Sequence, residues 1–297
     1  MRFSGTMTAL VTPFTRAVVD EKAYRALIER QITQGIHGLV PCGTTGESAT
    51  LSHAEHERVI ELCIDQARGR VPVLAGAGSN NTAEAVRLVH FAQKAGADGA
   101  LLITPYYNKP TQEGLYQHFK AIAESVDFPL VPYNVPSRTG CNLLPDTLAR
   151  LASDFSNIVG VKEATGDMTQ CSRILKSCPA GFSVLSGDDF TALPLMSLGG
   201  CGVISVTSNV APEQMVGMYN SFAAGDLPRA VRIHRTLLSL HDALFSETNP
   251  IPAKTALALM GLASGELRLP LCPMNEANKT KLVDELVRQG LLPQMRK

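Results

Sequence analysis

Asn157–Asp167 reads N-I-V-G-V-K-E-A-T-G-D. Ile158 to Lys162 is a candidate strand that runs straight into a polar, Gly-containing turn. Alternation along a strand sets Ile158, Gly160 and Lys162 on one face and Val159 and Val161 on the other. Apart from the lysine these residues are small or apolar, so both faces read as buried, the pattern of strands in a parallel α/β sheet. The lysine at the C-terminal end is the anomaly. A buried ammonium is costly unless paired or neutralised. Held partly desolvated, a lysine can lose its proton near neutral pH and attack a ketone. The ordinary alternative is a lysine that snorkels to solvent or pairs with a carboxylate.

Outward from this strand, short apolar runs recur with helical patterns between them. Candidate strands are Thr6–Val11, Gly38–Pro41, Val73–Ala77, Ala100–Ile103, Leu130–Asn134, Ile158–Lys162, Ser183–Ser186 and Val203–Ser205. Candidate helices are Glu21–Gln34, His53–Arg68, Thr82–Ala95, Gln112–Val126, Asp146–Ala152, Met168–Lys176, Phe190–Leu198 and Glu213–Ala224. Ser52-His53-Ala54-Glu55 and Asn81-Thr82-Ala83-Glu84 have capping-box form, and Gly35, Gly69 and Gly96 sit where C-terminal caps belong. This alternation predicts a (β/α)8 barrel over residues 1–224. A doubly wound sheet is the rival, but its dinucleotide fingerprint is missing: Gly76-Ala77-Gly78 follows a strand, with Asn81 where a third glycine belongs. There is no P-loop. After Gly225 the alternation stops, and Pro228–Phe245, Pro252–Met260 and Asn278–Gln289 read as helices of a C-terminal extension over 225–297.

Composition narrows the function classes. With 297 residues, 45% hydrophobic and 18% charged, the chain has the make-up of a globular protein with ample core. A formal net charge of zero argues against a broad field for nucleic acid or an acidic membrane. Seven cysteines without a C-x-x-C argue against a disulfide framework and suit a reducing cytoplasm. The N-terminal M-R-F-S-G-T-M-T-A-L-V-T-P-F lacks signal-peptide anatomy, and no apolar run approaches a membrane span.

Residues just past the strand ends of such a barrel build its active site. Cys42-Gly43-Thr44-Thr45-Gly46-Glu47-Ser48 can expose N–H groups between two hydroxyls, an anion cradle suited to a carboxylate; an ordinary Gly/Thr loop is the plain alternative. Thr104-Pro105-Tyr106-Tyr107-Asn108-Lys109-Pro110 brings paired tyrosines, which can equally serve as core contacts. In Tyr133-Asn134-Val135-Pro136-Ser137-Arg138-Thr139-Gly140, Tyr133 can pass protons and Arg138 can hold a carboxylate with its planar fork, or form a surface ion pair. His53 and His56 are three apart on one helix, a weak metal signal without H-E-x-x-H, and no G-x-S-x-G elbow is present. No metal or cofactor is expected. A lysine, tyrosines, a carboxylate cradle and an arginine point to Schiff-base chemistry on small keto acids.

V-G-V-K-E-A-T-G-D, G-T-T-G-E, T-P-Y-Y-N-K-P-T-Q-E-G and Y-N-V-P-S-R-T-G together resemble the 4-hydroxy-tetrahydrodipicolinate (dihydrodipicolinate) synthase family. That family sits within the pyruvate-dependent class I aldolases, which include N-acetylneuraminate lyase. The likeness runs from T-A-L-V-T-P-F at 8–14 to N-P-I-P-A-K at 249–254. It implies that Lys162 forms an imine with pyruvate, that Thr45 holds the pyruvate carboxylate, and that Tyr133, Thr44 and Tyr107 relay protons, with Tyr107 from a neighbouring subunit. It implies further that Arg138 receives the carboxylate of L-aspartate 4-semialdehyde, that the carbonyl of Ile204 borders the pyruvate site, and that Gly187 lies nearby. A homotetramer is the implied assembly. In lysine-inhibited members the positions matching Ser48, Ala49, His53, His56, Asn80, Glu84 and Tyr106 form an effector site for L-lysine. Each has a plain reading too: Glu84 as the carboxylate of the capping box at Asn81, the histidines as polar residues on a first helical turn. Cleavage of a longer sugar acid, as by N-acetylneuraminate lyase or a 2-keto-3-deoxy-sugar-acid aldolase, is the alternative, and a non-catalytic ligand-sensing barrel a more distant one. Pro132 departs from the family pattern and cannot donate inside a central strand, so an irregularity before Tyr133 is expected.

Overall fold

A computed structural model describes residues 3–293; the outermost residues of the two spans above, 1–2 and 294–297, lie outside it. Eight parallel strands form the barrel: β1 (Gly5–Ala9), β4 (Gly38–Val40), β5 (Leu74–Gly76), β6 (Gly99–Ile103), β7 (Leu130–Asn134), β8 (Gly160–Glu163), β9 (Ser183–Ser186) and β10 (Gly202–Ser205). They run in the order β4-β1-β10-β9-β8-β7-β6-β5. The two ends of that order meet through a Leu39–Val73 bridge and the Gly76 N–H donating to the Pro41 carbonyl at 2.9 Å. An antiparallel hairpin, β2 (Phe14–Thr15) with β3 (Val18–Val19), follows β1.

Helices alternate with the strands as α1 (Glu21–Thr33), α2 (His53–Ala67), α3 (Thr82–Ala95), α4 (Gln112–Ser125), α5 (Pro136–Thr139), α6 (Pro145–Asp154), α7 (Met168–Ser177), α8 (Ala192–Ser197) and α9 (Pro212–Ala223). The C-terminal helices are α10 (Leu227–Leu244), α11 (Ile251–Leu259) and α12 (Glu276–Arg288). The hairpin, α5 and the 3-10 turns Ser48–Thr50 and Thr207–Asn209 escape the sequence reading, each too short to show a period. No described helix is long and apolar enough to cross a membrane.

The Ser52 capping box forms as the sequence predicts, with the Ser52 hydroxyl accepting from Glu55 N–H and the Glu55 carboxylate accepting from Ser52 N–H. The Asn81 box does not. Asn81 caps α3 with its own side chain, but its N–H donates to Ser79 Oγ at 3.0 Å and Glu84 turns elsewhere.

Apolar packing falls into three bodies. One lies between the sheet and the helices that wrap it, from Leu39 and Ile60 through Phe119 to Val161 and Val184. A second fills the barrel interior with Met7, Val40, Leu74, Leu101, Val131, Tyr133, Leu185 and Ile204. The third joins β10, α8 and α9 to the C-terminal helices through Val203, Met215, Leu240 and Leu257. The C-terminal region is therefore continuous with one side of the barrel core.

The strand carrying Lys162 is not regular. Leu130 pairs with Ile158, whereas Tyr133 pairs with Lys162, so β8 spends one residue more than β7 between the two pairs. The slip sits at Val159. Its N–H donates to the Leu130 carbonyl at 3.0 Å, but its own carbonyl turns the other way and accepts from Ser183 N–H on β9 at 2.9 Å. In a regular ladder that carbonyl faces residue 132 of β7, which is Pro132 and has no N–H to offer. The result is a β-bulge. It also corrects the simple alternation: Ile158 and Val161 pack together in the helix-facing layer, while Val159 packs against the interior cluster. Lys162 follows Val161 onto the interior face.

Candidate active site

Lys162 projects from the C-terminal end of β8 into the barrel mouth, where it is only 6% exposed. Its Nζ lies over the Tyr133 ring, 4.2 Å from the centroid. No carboxylate among the described residues pairs with it. Burial pulls its pKa down to about 7; the charge of Asp189 pushes back and that of Arg138 adds to the lowering. The stem of Lys162 passes Gly187, where an added Cβ would stand 2.6 Å from Ala164 Cβ and 3.0 Å from Lys162 Cε. Only glycine leaves the side chain this path.

Around the amine is a cavity of about 240 Å³ whose walls include Thr44, Thr45, Tyr133, Arg138, Gly187 and Asn249, and also Asp188, Phe190, Val206 and Phe245. The Thr44–Thr45 loop turns through two residues of positive φ, Cys42 (55°) and Glu47 (53°). No acceptor among the described residues takes the N–H of Thr44 or Thr45. These free donors are what an anion cradle requires. Thr45 is itself buried, its Oγ1 accepting from Asn249 Nδ2 at 2.9 Å. Burial raises the Tyr133 phenol, opposed by the nearby Arg138 charge and a hydrogen bond with Thr44. Arg138, on the exposed short helix α5, reaches Asn249 O at 3.4 Å with Nη2.

Two of the sequence-derived residues stand back from this cavity. Ile204 is wholly buried in the barrel interior with Tyr133 and Leu185, two residues before the Val206 that lines the wall. Tyr107 is 90% exposed, with a positive φ of 70°, and does not line this cavity. Outside the barrel, the end of β7 is tied to β8 by buried polar contacts: Asn134 Nδ2 donates to Glu163 Oε2 at 3.0 Å, and Gln170 Nε2 to the same oxygen at 3.2 Å.

A second cavity, about 450 Å³, opens beside the first. Ser48, Ala49, His53, His56, Glu84 and Tyr106 line it, and Asn80 donates from Nδ2 to the Tyr106 carbonyl at 3.2 Å. Glu84 accepts from Ser79 Oγ and lies 3.3 Å from His53 Nε2. His56 donates from Nε2 to Gly76 O at 2.7 Å, and burial lowers its pKa. Thr44, Arg138 and Asn249 line both cavities.

Residues 2–289 match the profile of the Dihydrodipicolinate synthetase family. The chain belongs to that family. A 4-hydroxy-tetrahydrodipicolinate synthase of Nitratidesulfovibrio vulgaris (strain DP4) is 64% identical over 292 residues, covering 98% of this chain and all of the relative. The structure also superposes on the chloride-inhibited dihydrodipicolinate synthase of Acinetobacter baumannii complexed with pyruvate, at 47% identity and a TM-score of 0.95 over 97% of this chain and 99% of that one. The family enzyme of Cyanidioschyzon merolae with lysine bound is 41% identical, with a TM-score of 0.95 over 98% of this chain and 99% of that one.

The sequence reading missed Asn249, Asp188, Phe190, Val206 and Phe245 as wall residues. Asn249 sits in N-P-I-P-A-K, a run that carried the family likeness but offered no chemistry by itself. Its partner Thr45 is 204 residues away in sequence.

Proposed function

We propose that this chain condenses pyruvate with L-aspartate 4-semialdehyde to give 4-hydroxy-tetrahydrodipicolinate, through an imine on Lys162. One observation carries the reading: an enclosed lysine without a carboxylate partner among the described residues, its pKa drawn to about 7, in one cavity with Thr44 and Thr45, whose N–H groups are free. At that value a large share of the side chains carry a free amine near neutral pH. The pyruvate carboxylate seats on the Thr44–Thr45 loop, and Nζ attacks the C2 carbonyl. Proton transfer through Tyr133 and Thr44 lets water leave, forming the iminium. Loss of a methyl proton gives an enamine, since the cation accepts the electron pair. The enamine carbon attacks the aldehyde, whose parent carboxylate Arg138 holds. The amine of the bound semialdehyde then attacks the iminium carbon, expels Lys162 and closes the ring.

The exposure of Tyr107 supports a relay completed by a second subunit, as in a homotetramer built from two dimers, where Tyr107 of one copy reaches the Thr44–Tyr133 pair of another. Sedimentation of the wild-type protein tests the assembly, and a monomer with full turnover would refute it.

The second cavity suits free L-lysine as a feedback effector: Glu84 and Asn80 can hold an ammonium, His53, His56 and Tyr106 the other end. The walls shared with the first cavity give an occupant a short path to Thr44 and Arg138. The expected result is that saturating L-lysine weakens apparent pyruvate affinity roughly 5- to 150-fold, and that Glu84→Ala shifts the inhibition to higher L-lysine. A flat titration with no heat of binding would remove this part of the reading. For the reaction itself, borohydride reduction in the presence of pyruvate should leave a pyruvate-derived mass on the peptide containing Lys162. An unmodified peptide would overturn it.

A further inference from the structure

Three polar groups that the chemistry above does not use are enclosed beside the Lys162 site. Asp189 opens the single helical turn after β9 and is 1% exposed. Its Oδ2 accepts from Val206 N–H at 3.0 Å and Thr207 N–H at 2.9 Å, which clamps the loop after β10 to the loop after β9. The Thr207 hydroxyl meets His241 Nδ1 at 2.8 Å. His241, on α10, is fully buried and stands edge-on to Phe190, with ring centroids 5.4 Å apart.

This leaves two enclosed atoms with no hydrogen-bond partner: Asp189 Oδ1 and His241 Nε2. Buried polar atoms seldom stay unpaired, and a specific orphan calls for an explanation. The two are complementary. In the tautomer where the Thr207 hydroxyl donates to Nδ1, His241 carries its proton on Nε2, and one orphan is then a donor and the other an acceptor within a cluster already joined through Thr207. The Asp189 charge is also the strongest influence opposing desolvation at both Lys162 and His241, so the carboxylate acts on the amine and the imidazole alike.

Imine formation turns a neutral amine into a fixed cation in a site poor in water. A carboxylate set behind the Val206 and Phe190 wall of the cavity, and tied to backbone N–H groups rather than to the amine, favours that cation without locking the free lysine in its protonated state. We infer that Asp189 is the counter-charge for the iminium on Lys162, and that His241 is the positioning residue that fixes its free oxygen. The inference rests on the imine proposed above. The other charged or titratable groups facing Lys162 are Tyr133 on β7, Arg138 on α5 and Asp188 after β9.

Asp189→Asn tests it, because the amide oxygen can still accept from Val206 and Thr207 while the charge is gone. The readouts are the pH dependence of borohydride-trapped pyruvate adduct and the steady-state rate. Lys162 should titrate lower than in wild type, trapped adduct at saturating pyruvate should shrink, and kcat should fall about 10- to 100-fold. A folded Asp189→Asn protein with the Lys162 titration unmoved overturns the inference. Should that variant fail to fold, His241→Leu and His241→Gln decide. The leucine removes the donor and should lower kcat several-fold, and the glutamine should recover most of it; wild-type kcat in His241→Leu overturns the inference. Absence of adduct in the wild-type protein would instead defeat the parent reading of Lys162.

Discussion

Lys162 and Lys254 are both sealed inside the protein, and both ammonium groups lie 4.2 Å from the centroid of an aromatic ring, Tyr133 for the first and Phe14 for the second. Their other neighbours differ. Lys254, at the start of α11, donates to the Thr12 carbonyl at 2.9 Å and to Glu47 Oε1 at 2.5 Å, in a pair whose side chains are each 1% exposed. Burial lowers the pKa of both lysines, but at Lys254 the Glu47 carboxylate in direct contact pushes back. At Lys162 the opposing carboxylate, Asp189, is tied to backbone N–H groups. Depth of burial therefore does not make a nucleophile. A lysine given a contacting carboxylate becomes a strut, and one denied it is left with an amine whose pKa burial draws down to about 7. The strut serves the reactive site, since Glu47 ends the G-T-T-G-E loop and takes Arg268 N–H at 3.1 Å on its other oxygen. Lys254 and the segment around Arg268 thus hold from behind the loop that presents Thr44 and Thr45.

The sharpest way to break this contrast is to delete each amine. Lys162→Ala should lower kcat by roughly 1,000-fold or more while the protein stays folded, measured by coupled assay beside a melting curve. Lys254→Met should do the reverse in kind, destabilising by about 3–5 kcal/mol because Glu47 is left buried and unpaired. Adding Glu47→Gln to that variant should restore much of the loss, since the amide still accepts from Arg268 N–H without a charge. Denaturant titration of the single and double variants reads this directly, and equal stability of the two would show the pair is not coupled.

Gly187→Ala probes the path of the reactive side chain. Its Cβ displaces Lys162 and Ala164, and a shift near 1 Å at a reacting atom costs about 100-fold in rate. Stability should change far less, so a rate loss matched by a lower melting temperature would point to general disruption.

The smallest effect is on stability against pH. Lys162 titrates near 7 when folded and near 10.5 when free. Between those values the unfolded chain holds more protons than the folded one, so this group's contribution to stability rises with pH across that window and is lowest below about pH 7. Lys162→Met removes the dependence, and its stability gain over wild type should be greatest near pH 6 and fade toward pH 10. A difference that stays constant with pH would mean the lysine is not held neutral.

How much of this was legible in the chain depended on distance along it. The eight strands and the lysine at a strand end could be read because period, caps and an out-of-place charge are local signals. The tight Gly/Thr turn that presents Thr44 and Thr45 could be read for the same reason. Asn249 and Phe245 could not, because their place in the wall depends on the C-terminal helices folding back over the barrel mouth. Lys254 went unremarked within a candidate helix, since its partner Glu47 is 207 residues away. Of the two readings offered for Glu84, the capping box is the one that fails. Its spacing from Asn81 matches a capping box, but Ser79 Oγ takes the Asn81 N–H, and the carboxylate is left to face His53.

The slip at Val159 has a consequence for anyone who would move this chemistry to another scaffold. Side chains on a strand alternate in and out like beats in a bar, and the bulge drops in one extra beat before Lys162. Copied onto an uninterrupted strand with Ile158 still packed against the helices, V-G-V-K would deliver its amine to the helix layer, where nothing awaits it. The transplant must carry the dislocation as well, including the proline across the ladder that leaves the Val159 carbonyl without a donor on that side.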